Sequence, residues 1–394
     1  MINAKLKWLF ITFVGVAPVF SQVSPEIQLG VRGLTSFNTD IGADKTTSAV
    51  NDFSDSGLLL GFRQKLYNRF RGQFVIGFQF PDADSDLGQL FFHQTFIRVE
   101  DKVNILKMGR SRVRSSLIEF PTLRDDDALS FTDVLNPFSS GENTEDNQFG
   151  NVLELARVFN QRYWLRVHGE HFTQTPSERA GSETDFSLNA VGLSFEYRVP
   201  RTQIWNRPVL QQIGFGYNSY LMRKSQLADE YGDVLKNVIV SAIVNLRRDP
   251  VHFWDIRSQV ISNQGFDNIR EINDYYDLTR ARSIGGLTSL RYIYRKLERP
   301  TIQLALSGGY KVFPDLTNTT SQFQVVGNVF YRLGENFDLG FQAQYKSFDG
   351  DLKNLYGESE MRFQFGLVYS IDQLWNDQFD DRESLLNLEH GYIP

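Results

Sequence analysis

The sequence predicts an all-β chain, a single 16-stranded antiparallel transmembrane β-barrel with short periplasmic turns and long extracellular loops. Three observations predict it: an exported N-terminus, period-two alternation over segments of about ten residues, and connections that alternate between short and long.

Residues 1–21 read as a signal peptide. Lys5 and Lys7 give a positive start, Trp8 to Phe20 is an apolar run broken by Thr12, Gly15 and Pro18, and a cut is expected before Gln22. A buried N-terminal strand is the alternative reading of the same run. It is too short and too early for a spanning helix, and no later stretch of about 18 uncharged apolar residues offers one. The chain has no cysteine, which excludes structural disulfides, thiolate chemistry and lipobox acylation. Export without disulfides fits a bacterial envelope. The net charge is -6, and about -8 once Lys5 and Lys7 are removed, which argues against nucleic acid as a partner. A mean hydropathy of -0.32 suits a barrel, in which only every second residue is apolar.

The alternation is clearest in the second half. Tyr163, Leu165 and Val167 oppose Trp164, Arg166, His168 and Glu170. Ile302, Leu304, Leu306 and Tyr310 oppose Gln303, Ala305, Ser307 and Gly309. Phe337, Leu339, Phe341, Ala343 and Tyr345 oppose Asp338, Gly340, Gln342, Gln344 and Lys346. Met361, Phe363, Phe365, Leu367 and Tyr369 oppose Arg362, Gln364, Gly366 and Val368. Successive strand side chains point to opposite faces, so each segment has one oily and one wet surface.

Seven short connections fall near residues 68–71, 101–103, 160–161, 200–208, 248–250, 297–300 and 334–336. Eight long ones cover 36–56, 81–89, 113–149, 173–183, 223–233, 262–282, 314–320 and 348–357. These connections imply sixteen strands within a barrel of residues 22–371, an even number as bacterial barrels have. Closure follows because hydrocarbon tolerates an oily face but no unpaired strand edge. Tyr292 and Tyr294, like Tyr67 and Phe70, sit near strand ends as interfacial aromatics do. A soluble β-sandwich or β-helix is the competing fold; no fixed-period repeat supports the latter.

With the apolar face on lipid, parity turns Arg166, His168, Glu170, Asp255, Arg257, Arg291, Lys311, Asp338, Lys346 and Arg362 toward the interior as pore-lining groups. Gln212, Asn218, Asn237, Asn245, Gln303, Asn328, Gln342 and Gln344 fill in between them. Such residues line a wet passage, or they pair with one another and only solvate the wall. Residues 112–148 form the longest connection and are read as a constriction loop. Arg110, Arg112, Arg114 and Arg124 there oppose Asp125, Asp126 and Asp127. Those charges either set a transverse field or staple the loop by salt bridges, and no anion or cation preference follows.

The run Val103-Asn-Ile-Leu-Lys-Met-Gly-Arg110, the long third loop and the re-entry at Gly150-Asn151-Val152 resemble bacterial general and substrate-specific porins. With the strand count the layout is most similar to the porin O and P family of phosphate-selective porin-like proteins. The resemblance implies passive diffusion of small hydrophilic solutes or ions and a possible homotrimer in the outer membrane. Phosphate-selective members imply an uninterrupted basic ladder; none can be traced here, so that specificity is not carried over. The ending Phe20-Ser21-Gln22 also looks like signals of Bacteroidota.

Residues 372–394 are read as a C-terminal periplasmic tail. Trp375, Phe379, Leu385 and Leu386 are its candidate contacts, with a short amphipathic helix over 380–388. The tail would plug the lumen, dock an envelope protein or remain a disordered appendage. His93, His168, His171, His252 and His390 show no metal spacing, and no nucleophile elbow or phosphate loop exists, so neither enzyme chemistry nor a metal or cofactor is expected. The competing function is a non-conducting barrel subunit of an outer-membrane assembly or secretion complex.

Overall fold

The structure is a computed structural model. It describes residues 26–41, 47–52, 57–67, 70–79, 89–100, 103–112, 117–118, 149–160, 162–174, 186–199, 208–224, 231–264, 282–296, 299–314, 320–333 and 337–375. Nearly all of these lie in one antiparallel sheet. Its strands are β1 (Glu26–Ile41), β2 (Thr47–Asp52), β3 (Gly57–Tyr67), β4 (Phe70–Gln79), β5 (Gln89–Glu100), β6 (Asn104–Arg112), β7 (Phe149–Phe159), β8 (Tyr163–Gln174) and β9 (Phe186–Arg198). They continue as β10 (Val209–Lys224), β11 (Tyr231–Arg248), β12 (His252–Gln264), β13 (Arg282–Lys296), β14 (Arg299–Phe313), β15 (Thr320–Arg332), β16 (Phe337–Asp349) and β17 (Ser359–Trp375). One helical turn, α1 (Asp351–Tyr356), bridges β16 and β17.

From β3 to β17 each strand pairs with its sequence neighbours, the pattern that hairpin connections impose. β1 pairs along β17, from Ile27 opposite Trp375 to Ile41 opposite Met361. It also pairs with β2 near its end and with β3 near its start. β2 and β3 therefore lie end to end along one neighbour.

The faces segregate as the alternation predicts. β12 buries Phe253, Asp255, Arg257, Gln259, Ile261 and Asn263 and leaves the residues between them more exposed. On the exposed face Val191 and Leu306 show 66% and 59% of their surface. Leu153, Leu193, Phe215, Val240, Leu304, Phe341 and Phe365 share that face. So broad an apolar surface exceeds what soluble monomers show and marks contact with lipid or protein. Aromatic side chains gather near the short connections, where Tyr163 stacks on Phe195 and Trp254 lies 4.5 Å from Tyr292.

Two local geometries are set by single residues. Gly109 has φ +133°, and a Cβ there would lie 2.3 Å from the carbonyl oxygen of Thr95, so only glycine fits between β6 and β5. In the turn between β11 and β12, Asp249 accepts hydrogen bonds from the backbone N–H of His252 at 2.5 Å and of Val251 at 2.9 Å. Those bonds, chiefly that from His252, with Arg247 adding a smaller pull, hold its carboxyl below the usual carboxylate range.

The strand boundaries correct several expectations. The connection expected over 36–56 is partly sheet: Ser36–Ile41 pair with Thr47–Asp52. Polar composition suggested a loop, but a ladder needs backbone groups and tolerates Ser, Asn and Thr. The connection expected over 348–357 contains α1 between Gly350 and Gly357, both at positive φ. The boundary expected at 371/372 also moves. β17 runs to Trp375, which the tail reading had assigned to a contact surface, because β1 starts at Glu26 and offers partners back to Ile27. The signal region 1–21, and Phe379, Leu385 and Leu386 of the tail, lie outside the described residues.

Candidate functional site

Of the ten side chains expected to face inward, Arg166, His168, Glu170, Asp255, Arg257, Arg291, Lys311 and Asp338 lie on the buried face; Lys346 and Arg362 are half-buried. They do not form a single ladder. They divide into separate hydrogen-bonded groups.

The first group spans β7 to β10 and is organised by Glu196, which is completely buried. Arg166 donates from Nη1 to Glu196 Oε1 at 2.8 Å, and Arg198 donates from Nε to Oε2 at 2.8 Å. Gln212 donates to the same Oε2 at 3.2 Å, and Glu154 stands 3.8 Å from Arg166. Both guanidiniums lie over the Trp164 ring, at 5.0 and 5.2 Å. A carboxylate taken out of water is tolerable only when so paired.

The second group is a directional relay across four strands. His168 Nε2 lies 3.0 Å from Asn218 Oδ1, and Asn218 Nδ2 donates to Asn237 Oδ1 at 3.3 Å. Asn237 Nδ2 then donates to Asn263 Oδ1 at 2.9 Å. With Asn218 presenting its oxygen, His168 donates across this contact in the tautomer that carries its proton on Nε2. His168 and Asn218 are two strands apart and meet only because Gly192 stands between them. A Cβ at 192 would fall 2.1 Å from His168 Nε2 and 2.2 Å from Asn218 Oδ1. Glu170 lies 3.6 Å from the same ring nitrogen.

The third group is Asp255, shared by Arg291 on β13 and Arg257 on its own strand. Arg291 donates from Nη2 at 2.5 Å and from Nε at 3.1 Å, and Arg257 donates at 3.3 Å. Asp255 opposes Arg291 directly in the register, which sets this geometry. Asp338 accepts from Arg332 at 3.0 Å, Arg362 lies 3.6 Å from Glu360, and the Lys311 ammonium sits 5.2 Å from the Phe313 ring.

The buried face also carries an apolar patch that parity reasoning did not anticipate: Ile239, Ile243, Ile261, Leu287 and Val326, on β11, β12, β13 and β15. Ile118 completes it, and Leu117 packs against it. These two residues belong to the long connection after β6. The backbone N–H of Leu117 donates to Gln259 Oε1 at 3.1 Å, and its carbonyl accepts from Gln212 at 3.3 Å. A Cβ at Gly214 would come within 3.0 Å of the Leu117 side chain, and one at Gly216 within 3.5 Å, so these glycines shape the seat. The sequence signal is β11, where Val238, Ile239, Val240, Ala242, Ile243 and Val244 are apolar on both faces, as in a strand covered on both sides.

Of the expected constriction residues, Arg110 is half-buried near the end of β6 and Arg112 closes that strand. Arg114, Arg124, Asp125, Asp126 and Asp127 lie outside the described residues. Glu154, Glu196, Arg198, Gln259 and Asn263 were missed as partners, though each sits at an inward parity position. Among the described residues no three His, Asp or Glu side chains are grouped to hold a metal ion.

No known protein family's sequence profile matches the chain, and no curated protein sequence matches it. Solved structures do. The outer-membrane channel DcaP of Acinetobacter baumannii superposes with a TM-score of 0.60 at 15% identity, covering 89% of this chain and 99% of that one. OprB of Pseudomonas putida gives a TM-score of 0.61 at 12% identity over 91% of this chain and 96% of its own. An anion-selective porin from Comamonas acidovorans gives 0.57 at 11% identity over 88% and 100%. At such identities the likeness establishes the fold, that of outer-membrane porins.

Proposed function

We propose that the sheet closes into a sixteen-stranded transmembrane barrel in a bacterial outer membrane and acts as a porin for passive diffusion of small hydrophilic solutes. The strand count treats β2 and β3 as two pieces of one wall strand, and pairing of β1 with β17 supports closure. The observation that carries the reading is the segregation of the faces. Apolar side chains are bare on one face, while arginines, carboxylates and amides crowd the other. In water that arrangement is inverted; with lipid outside and a polar lumen inside it is the stable one.

Residues 112–148 serve as the constriction loop in this reading, which the packing of Leu117 and Ile118 on the wall supports. Residues 1–21 direct export. The segment after Trp375 is a periplasmic appendage, and a homotrimer is the expected assembly. The porin O and P family remains the proposed affiliation. The deciding experiment is single-channel conductance of the purified chain in a planar bilayer, with and without residues 376–394. Discrete steps from the full chain support the porin. Silence in the full chain with steps after truncation makes the appendage a plug. Silence in both rejects the channel in favour of a non-conducting assembly subunit.

A further inference from the structure

The charged groups of the buried face hold one another, whereas a group of amides on the same face does not. Gln303, Gln324, Gln344 and Gln364 are each at least 97% buried, and in all four neither the side-chain oxygen nor the nitrogen has a hydrogen-bond partner. The register makes these positions contiguous. Gln342 faces Gln364 across β16 and β17 and faces Asn328 across β15 and β16. Gln344 is the diagonal neighbour of Gln324 and of Gln364, and Gln303 is diagonal to Asn328. The patch thus runs unbroken over β14 to β17.

A buried amide without partners costs about 1–3 kcal/mol for each abandoned group, so native proteins fill such positions with water or ligand. The chemistry of these unpartnered amide atoms restricts the ligand. An anion would satisfy only the Nε2 donors, and a cation only the Oε1 acceptors. A hydroxyl donates and accepts at once, matching both ends of an amide. We propose that the β14–β17 wall is a binding site for neutral, hydroxyl-rich solutes, a saccharide or polyol, at which such a solute exchanges its hydration for successive amides. This inference rests on the porin reading for its route of access, and it makes the charged groups of β7 to β13 structural.

The test uses the full chain purified in detergent, with raffinose and inorganic phosphate as probes. Binding is read by saturation transfer from protein to raffinose protons and by 31P line broadening, and conductance in KCl is measured separately. Raffinose is expected to bind, and the double variant Gln324→Leu/Gln344→Leu to bind it about tenfold more weakly through lost hydrogen bonds. Leucine keeps the volume and removes unpartnered polar atoms, so the variant is expected to fold. Heat-modifiable gel mobility checks this, and the single variant Gln364→Leu gives a second reading if the pair fails. No raffinose binding means a hydrated wall only and overturns the proposal. Binding unchanged in both variants, or phosphate bound in preference, overturns it equally. A conducting chain without raffinose binding refutes this inference alone; binding without conductance refutes the porin and leaves the site.

Discussion

Replacing Ile118 by alanine should unseat Leu117 and Ile118 from the sheet wall. Ile118 is 6% exposed and closes the apolar patch of Ile239, Ile243, Ile261, Leu287 and Val326. Burial contributes about 1.5–3 kcal/mol for the covered Ile118 and somewhat less for the partly covered Leu117. The two hydrogen bonds to Gln259 and Gln212 add about 1 kcal/mol between them after chain ordering is counted against them. A seat of about 5 kcal/mol leaves roughly one molecule in 5,000 unseated. Truncating a well-packed isoleucine to alanine costs about 2 kcal/mol at the low end of the usual range. The unseated fraction then rises about thirtyfold, to roughly one in 160. Long single-channel recordings in a planar bilayer should show rare large-conductance events about thirty times more often in the variant. A Leu117→Ala, Ile118→Ala pair should make them common. If both variants conduct as the parent does, Leu117 and Ile118 do not hold a constriction and the loop assignment fails.

Three further perturbations probe other parts of the structure. Leu306→Arg, at a bare position midway along β14, should cost about 2–4 kcal/mol in denaturant unfolding from lipid vesicles, while Leu306→Ala costs much less; equal effects would mean this face does not meet lipid. Asp255→Ala removes the carboxylate shared by Arg257 and Arg291 and should destabilise the fold by about 3–5 kcal/mol. Adding Arg291→Met should recover part of that loss, and purely additive losses would disprove the coupling. Gly192→Ala places a methyl between His168 and Asn218 and should cost about 1–3 kcal/mol in thermal unfolding. The cost should shrink in a His168→Ala background, and an undiminished cost would show that the relay contributes nothing.

Much of this was legible in the chain because strand parity is a local property. Arg166, His168, Asp255 and Arg291 could be turned to one face from their neighbours alone, and the structure buries them there. Their partners could not be read. Glu196 lies 30 residues from Arg166, and Asn218 lies 50 from His168; only the register brings each pair together. The Leu117–Ile118 seat was hidden for a different reason. It joins a loop to four strands that begin more than a hundred residues later. Its one local trace, the apolar run in β11 broken only by Ser241, says that something covers the strand without saying what.

The sequence by itself determined the all-β class, the two unlike faces and the rhythm of turns and loops, because alternation and turn chemistry act between near neighbours in the chain. Tertiary structure decided how the inward charges are partnered, where the loop is anchored and which amides are left unpaired. Those depend on which strand lies beside which and at what offset. A shift of the pairing by two residues would keep every side chain on its face while exchanging all of its neighbours.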